Sequence, residues 1–344
     1  MTDEEFRGGL APEQDLVLPG KPDNPERRES VSVWLFEENG AFAFPRGGIE
    51  AEAALWDNRR FQANFSFADG RVLDGAGQAP PPSPIGADGR PTIIGAGPLV
   101  FQCIDPFRRW TMRFDGPARN GTVAEQIGGG FGQRGQAQVR LDVDMTMVTP
   151  AWVQQTATDT SNMSEAEAAD AAAMGLGYRM EHLFRAVGTL HIDGRSHPFR
   201  GTGSRIHRQS IRSLTGFTGH CWLSAVFPDG RAFGMIVYPP RADGSEGHNE
   251  AYVYQNGRMY EARSIDTPFL RRIVDKGDEL AITLESDLGI SRITGTTLLS
   301  TFRVGNPDMM GLNLQQGGAL YRWDDQTAYG MVERSSHDSL VSIG

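Results

Sequence analysis

The stretch AQVRLDVDMTMV constrains the fold more than any other in this chain. Val139, Leu141, Val143, Met145 and Met147 alternate with Gln138, Arg140, Asp142, Asp144 and Thr146. A period of two puts the apolar set on one face of a strand and the polar set on the other, whereas a helix would scatter both. RRFQANFSF, DELAITLESDL, GRMYEARSI and TAYGMVERS read the same way. Between such runs stand ENG, ADGR, DGP, IDGR, PDGR and QNGR. Asn-Gly and Asp-Gly accept the positive φ of tight hairpins, which join neighbouring strands antiparallel. The expected fold is mostly antiparallel β.

One segment breaks the alternation. SNMSEAEAADAAAMGLG is rich in Ala and Glu, Ser164 and Glu167 fit a capping box, and Gly175 or Gly177 would end the helix. The expected organisation is an extended N-terminal arm (1–28), an N-terminal β domain (29–163), one short linking helix (164–177) and a C-terminal β domain (178–344). A length of 344 residues suits two domains. The Pro/Gly stretch 74–91 reads as a lid or surface excursion. The Gly-rich run 128–135 leads into a strand rather than a helix, which argues against a phosphate-binding loop.

Lys plus Arg total 33 against 43 Asp plus Glu, a formal charge of −10, which argues against general nucleic-acid binding. Cys103 and Cys221 stand far apart among apolar residues and are expected to be free, buried thiols of a reducing compartment. The acidic, polar N-terminus does not read as a signal peptide, and no apolar run approaches a bilayer span. The expectation is a cytoplasmic protein with no integral membrane segment. The seven histidines show no metal-ligand spacing, so no metal or other cofactor is expected.

GTGSRIHRQSIRS, residues 201–213, gathers cations and an imidazole where an apolar stripe is expected. As a strand it puts Gly203, Arg205, His207 and Gln209 on one face and Ser204, Ile206 and Arg208 on the other. The glycines would leave room for a ligand beside the charged residues. His207 is then the first candidate for acid–base catalysis, with Arg205 polarising a carbonyl or phenolate. The competing reading is structural: an ion pair for Arg205 and an interior hydrogen bond for His207. His182 interrupts an apolar face (Met180, Phe184, Ala186) and is a second catalytic candidate, and Glu333 is a third. Glu181, on the opposite face with Arg185, reads as an ion-pairing residue. Trp222, His220, Tyr252, Tyr254, Tyr329 and Arg212 are candidate ligand contacts. Arg205 and His207 are expected to line a cavity of the C-terminal domain or the domain junction, with Trp222 or Tyr252 in its aromatic wall.

The stretch YRMEHLFRAVGTLHIDGRSHPFRGTGSRIHRQSIRS resembles the hydroxyneurosporene synthase (carotenoid hydratase) superfamily, and most closely an uncharacterised bacterial branch of it. Glu181-His182, Gly188, Asp193-Gly194 and the run 201–213 stand where that superfamily has its motifs. HCWLSAVFPDGRAFGMIV, AYVYQNGRMYEA and GGALYRWDDQTAYGMVERS continue the likeness, which covers most of residues 30–335. It implies two lipocalin-like β-barrel or sandwich domains in tandem. It departs at the motif's acid: Ile206 stands for Asp, Arg208-Gln209-Ser210 for Ser-Trp-Gly, and Ser213 for the final Asp.

Two functions remain in view, with a ligand-free structural module behind them. The first is a cofactor-independent enzyme acting on a hydrophobic or aromatic small molecule by acid–base chemistry, of the hydratase/lyase, isomerase or cyclase type. The second is a non-catalytic carrier or sensor of a lipid-like or terpenoid ligand. An apolar pocket holding two or more imidazoles would count against the module. The sequence leaves a homodimer open.

Overall fold

In the computed structural model, which describes residues 1–154 and 160–344, the alternating runs are strands. The first twelve are β1 (Arg27–Glu37), β2 (Phe42–Glu52), β3 (Arg59–Phe67), β4 (Arg71–Asp74), β5 (Gly77–Ala79), β6 (Ile93–Ala96), β7 (Leu99–Asp105), β8 (Arg109–Thr122), β9 (Gln136–Met147), β10 (Trp152–Val153), β11 (Leu176–Ile192) and β12 (Arg195–Ile211). Then come β13 (Gly219–Val226), β14 (Ala232–Val237), β15 (Asn249–Gln255), β16 (Arg258–Asp266), β17 (Arg272–Ile273), β18 (Glu279–Ser286), β19 (Gly289–Asn306), β20 (Leu312–Trp323), β21 (Gln326–Ser336) and β22 (Ser342–Ile343).

Antiparallel ladders run β11–β12–β1–β2–β3–β4–β8–β9 and return from β9 to β11, so eight strands close a first barrel. A second closed barrel runs β13–β14–β15–β16–β18–β19–β20–β21. An eight-stranded barrel has an interior that side chains can fill. Val33, Phe65, Phe101, Trp110, Leu141 and Phe184 pack inside the first. Leu223, Phe233, Met235, Ile282 and Tyr321 pack inside the second. The tandem lipocalin-like β architecture expected from the sequence is the one observed.

Two short helices were not expected: α1 (Asp3–Phe6) and α2 (Val123–Gly128), each started by a capping box, Thr2 with Glu5 and Thr122 with Glu125. The third, α3 (Glu165–Met174), starts at Ser164 with the expected reciprocal bonds to Glu167 and ends at Gly175. It does not divide the barrels. β11 and β12, placed by sequence in the C-terminal domain, pair with β9 and β1 and belong to the first barrel, and the second begins only at β13. Alternation marks a strand but not its distant partner, and here the distant partner decides. The segment before β1 also differs from an extended arm, because Phe6, Asp15 and Val17 are buried. Cys103 and Cys221 are buried and unpaired.

The barrels meet through outer faces. Trp34, Leu183 and Ile206 of the first pack with Trp222, Ile236 and Met331 of the second. The Trp34 and Trp222 rings are 4.8 Å apart, edge to face.

Candidate functional site

The two faces of β12 carry different chemistry. Arg205 and His207 point into the first barrel. Arg205 donates to Asp15 Oδ1 at 2.8 Å and lies over the Trp110 ring at 4.4 Å. Asp15 Oδ2 accepts from the Trp110 indole at 2.8 Å and from the Phe107 backbone N–H at 2.6 Å. His207 Nε2 meets Glu29 Oε1 at 2.8 Å. Its Nδ1 is 3.7 Å from Asp15 Oδ1, a charge contact rather than a hydrogen bond. His182 Nδ1 is 3.4 Å from Arg205 Nη2.

Asp15, His182, Arg205 and His207 are all fully buried. Burial would raise the Asp15 carboxyl, but Arg205 and His207 hold it well below the usual carboxylate range. Burial would lower His207, but Asp15 and Glu29 more than offset this and raise it. Burial, then the Arg205 charge, push His182 down to about 3. The space over Gly203 is occupied: a Cβ there would lie 2.4 Å from the Phe184 ring and 2.0 Å from the Trp34 carbonyl oxygen. The expectation that Arg205 and His207 line a junction cavity is therefore not met. They do share a face, but that face looks into a filled barrel, where their aromatic neighbours are Trp110 and Tyr178.

The opposite face of β12 looks across a cavity of about 580 Å³ toward the second barrel. Register sets its floor. One row crosses five strands as Arg179, Arg208, Ser30, Glu50 and Arg60. The next row is Glu181, Ile206, Ser32, Gly48 and Gln62. Residues paired across a sheet share a face, so each row presents its side chains together. The second barrel supplies Trp222 and His220 from β13 and Glu333 from β21. Phe217 and Tyr238 complete an aromatic wall, their rings 5.1 Å apart.

His220 and Glu333 form a pair in this wall. His220 Nε2 is 3.3 Å from Glu333 Oε1, and Nδ1 is 2.7 Å from Ser335 Oγ. Glu333 Oε2 accepts from Gln316 Nε2 at 2.7 Å, and Gln316 Oε1 in turn accepts from Gln62 and Asn64 of the first barrel. Both barrels thus fix this carboxylate. Burial would raise Glu333, but the His220 hydrogen bond, the Arg46 charge and the Gln316 amide bring it down to about 2. Glu181 behaves oppositely: burial raises it to about 7. It accepts from Ser204 Oγ at 3.0 Å and from the Trp222 indole at 2.9 Å, so it ties the barrels together behind the tryptophan.

Of the sequence candidates, His220, Trp222, Arg212 and Glu333 meet at this cavity, while His182, Arg205 and His207 are sealed from it. Tyr252, Tyr254 and Tyr329 also lie outside its lining. Tyr252 meets Trp152 edge to face instead, the rings 4.9 Å apart. The cavity holds one imidazole, not two. Sequence reasoning missed Arg28, Arg46, Glu50, Arg179, Phe217 and Tyr238, and saw Arg208 only as the residue facing away from His207. Their signal is register across five strands, which no local pattern records. Among the described residues, no group of three or more His, Cys, Asp or Glu is placed to hold a metal ion, and no helix is long and apolar enough to cross a membrane.

Fold and site define a tandem β-barrel protein with a charged, aromatic-walled cavity between its barrels. The chain belongs to the family described as Domain of unknown function (DUF7064), whose model matches residues 12–338. No curated protein matches the sequence. Among solved structures, an AttH-type protein of Nitrosomonas europaea aligns over 94% of this chain and 98% of its own, at 16% identity and a TM-score of 0.56. CghA with Sch210972 aligns over 93% of each chain, at 12% identity and a TM-score of 0.52. A kievitone hydratase of Nectria haematococca aligns over 93% of each at a TM-score of 0.46 and 10% identity, too distant to carry weight. The likenesses to the AttH-type protein and to CghA establish a shared fold.

Proposed function

We propose that the chain is an enzyme that moves a proton on a hydrophobic or aromatic small molecule held between its barrels, in a hydration, elimination, isomerisation or cyclisation that needs no cofactor. The observation that carries this reading is the His220–Glu333 pair set in an aromatic cavity wall. Ser335 Oγ accepts the His220 backbone N–H at 3.1 Å, so its own hydroxyl proton can go to Nδ1. Nε2 then carries its proton toward Glu333 Oε1 at 3.3 Å, the looser of the two ring contacts, and it is at Nε2 that a molecule in the cavity would exchange a proton with the ring. An ionised carboxylate in that place orients the ring. Imidazole is the side chain best suited to gain and lose a proton near neutral pH. Glu333, held at about 2, is the electrostatic partner rather than the proton store.

Two further observations support the cavity as the site. Ile206, standing where the resembled superfamily has an acid, faces it. A fold neighbour, CghA, was solved with the small molecule Sch210972. Loss of that acid is what favours the carrier reading. The test is incubation of wild type and His220→Ala with a small-molecule extract of the source cells, followed by mass spectrometry. Conversion of one component by wild type, slowed about 10²-fold or more in the variant, supports the enzyme. A component that binds both proteins and returns unchanged makes the chain a carrier.

A further inference from the structure

The cavity's cations outnumber what its carboxylates can serve. Arg179 and Arg208 are direct cross-strand partners on one sheet face, where like charges repel. They are 1% and 7% exposed. Of the four carboxylates and seven arginines in the lining, Glu50 is taken by Arg28 at 3.1 Å and Arg46 at 3.2 Å, Glu52 by Arg60 at 3.8 Å, and Glu333 by His220 and Gln316, while Asp308 acts on Arg303. Arg208 Nε is buried with no hydrogen-bond partner, and Glu50, already paired elsewhere, acts on this guanidinium as a charge. Among the described residues Arg179 meets the Met174 sulfur at 2.9 Å and the Trp222 face at 5.0 Å, with the Glu181, Glu250 and Glu333 charges acting on it as well. Arg212 has the Ala173 carbonyl at 2.6 Å. The Nε atoms of Arg28, Arg179 and Arg208 are buried without a partner. Burial, followed by the charges of Arg212, Arg179 and Arg28, pushes Arg208 well below its ordinary value, which shows how closely these cations crowd.

A buried guanidinium without a counter-charge is costly, and a protein of net charge −10 has no shortage of carboxylates to place there. We propose that the cavity binds an apolar molecule carrying an oxyanion, a carboxylate or a phosphate, with Arg208 and Arg212 gripping the anion and Trp222, Phe217 and Tyr238 enclosing the apolar body. Guanidinium forks suit both anions bidentately. Arg179, stacked on Trp222, adds charge and positions that ring. The inference rests on the cavity being the ligand site, not on the ligand being transformed.

The test is calorimetric titration at fixed ionic strength with 2-naphthylacetate, 2-naphthylmethyl phosphate and the uncharged 2-naphthaleneethanol. At least one anion should bind one to one, and at least about tenfold more tightly than the alcohol. Arg208→Gln and Arg212→Gln should each weaken that anion about tenfold or more, while Arg140→Gln, an exposed arginine of β9 away from the cavity, retains it. The preferred anion separates carboxylate from phosphate. Alongside, inorganic phosphate should raise the thermal midpoint of wild type above a chloride control and leave Arg208→Gln unmoved. Equal binding of the alcohol, unchanged binding in both arginine variants, or, where the phosphate ester is the preferred anion, an equal phosphate response in wild type and Arg208→Gln overturns the proposal. Anion binding without conversion of any metabolite would uphold it and remove the enzyme reading instead.

Discussion

The inner and outer faces of β12 both bury arginine, three positions apart, and treat it in opposite ways. Inside the first barrel Arg205 meets Asp15, and His207 meets Glu29. On the outer face Arg208 meets another arginine. Paired charges inside a filled barrel are architecture: they hold the N-terminal segment in place. Unpaired charges beside an open cavity have no such use, and they mark where the molecule is built for something it does not itself contain.

The largest test of this contrast is Asp15→Ala. It leaves Arg205 buried without a counter-charge and should cost about 3–5 kcal/mol, read by denaturant unfolding. Stability within about 1 kcal/mol of wild type would mean that the inner network is not structural. Next in size, His220→Gln should slow turnover about 10²-fold, and because its amide can still donate to Glu333 it should cost far less stability than Asp15→Ala. His207→Ala should do the reverse, lowering stability first.

The third test is pH. His182, held at about 3, and His248, lowered by burial and then by the Arg179 charge to about 4, bind protons more readily when unfolded. Between those values and 6.5 they make stability rise with pH. Glu181, raised to about 7, works against them between 4.5 and 7, but one group opposes two. Above 6.5 the sign turns: His207 is raised, so its contribution is complete below 6.5 and is lost as pH climbs through its folded value. The unfolding midpoint should peak near pH 6.5, with limbs of about 1.4 kcal/mol per pH unit for each net proton. A midpoint still rising from pH 6.5 to 8 contradicts the assignment of His207 to the buried network. The smallest effect is on the outer face. Without ligand, Arg208→Gln should stabilise the protein by up to about 1 kcal/mol by relieving the clash with Arg179, seen as a higher thermal midpoint.

Much of this was legible beforehand. Alternation such as Val139 to Met147 gave strands, and the Ser164–Glu167 box gave α3. Alternation also separated Arg205 and His207 from Ile206 and Arg208. It could not say which side faced the cavity, because facing depends on the closure of β12 against β1. Asp15 looked like part of a loose arm, since nothing local reveals a carboxylate whose partner lies 190 positions away. The row from Arg179 to Arg60 was invisible for the same reason. His220 and Glu333 were visible separately, but as a pair only once β13 lay beside β21.

Closure of β1 against β12 also sets a clock on synthesis. Arg27 pairs with Ile211, so the first barrel cannot close until the ribosome has delivered nearly two thirds of the chain. At about 5–20 residues per second, the apolar face of β1 waits roughly ten to forty seconds for its partner. Chains stalled before β12 should therefore stay protease-sensitive throughout the first barrel. In the cell, that interval is when Val31, Val33 and Leu35 are open to chaperones or to another nascent chain.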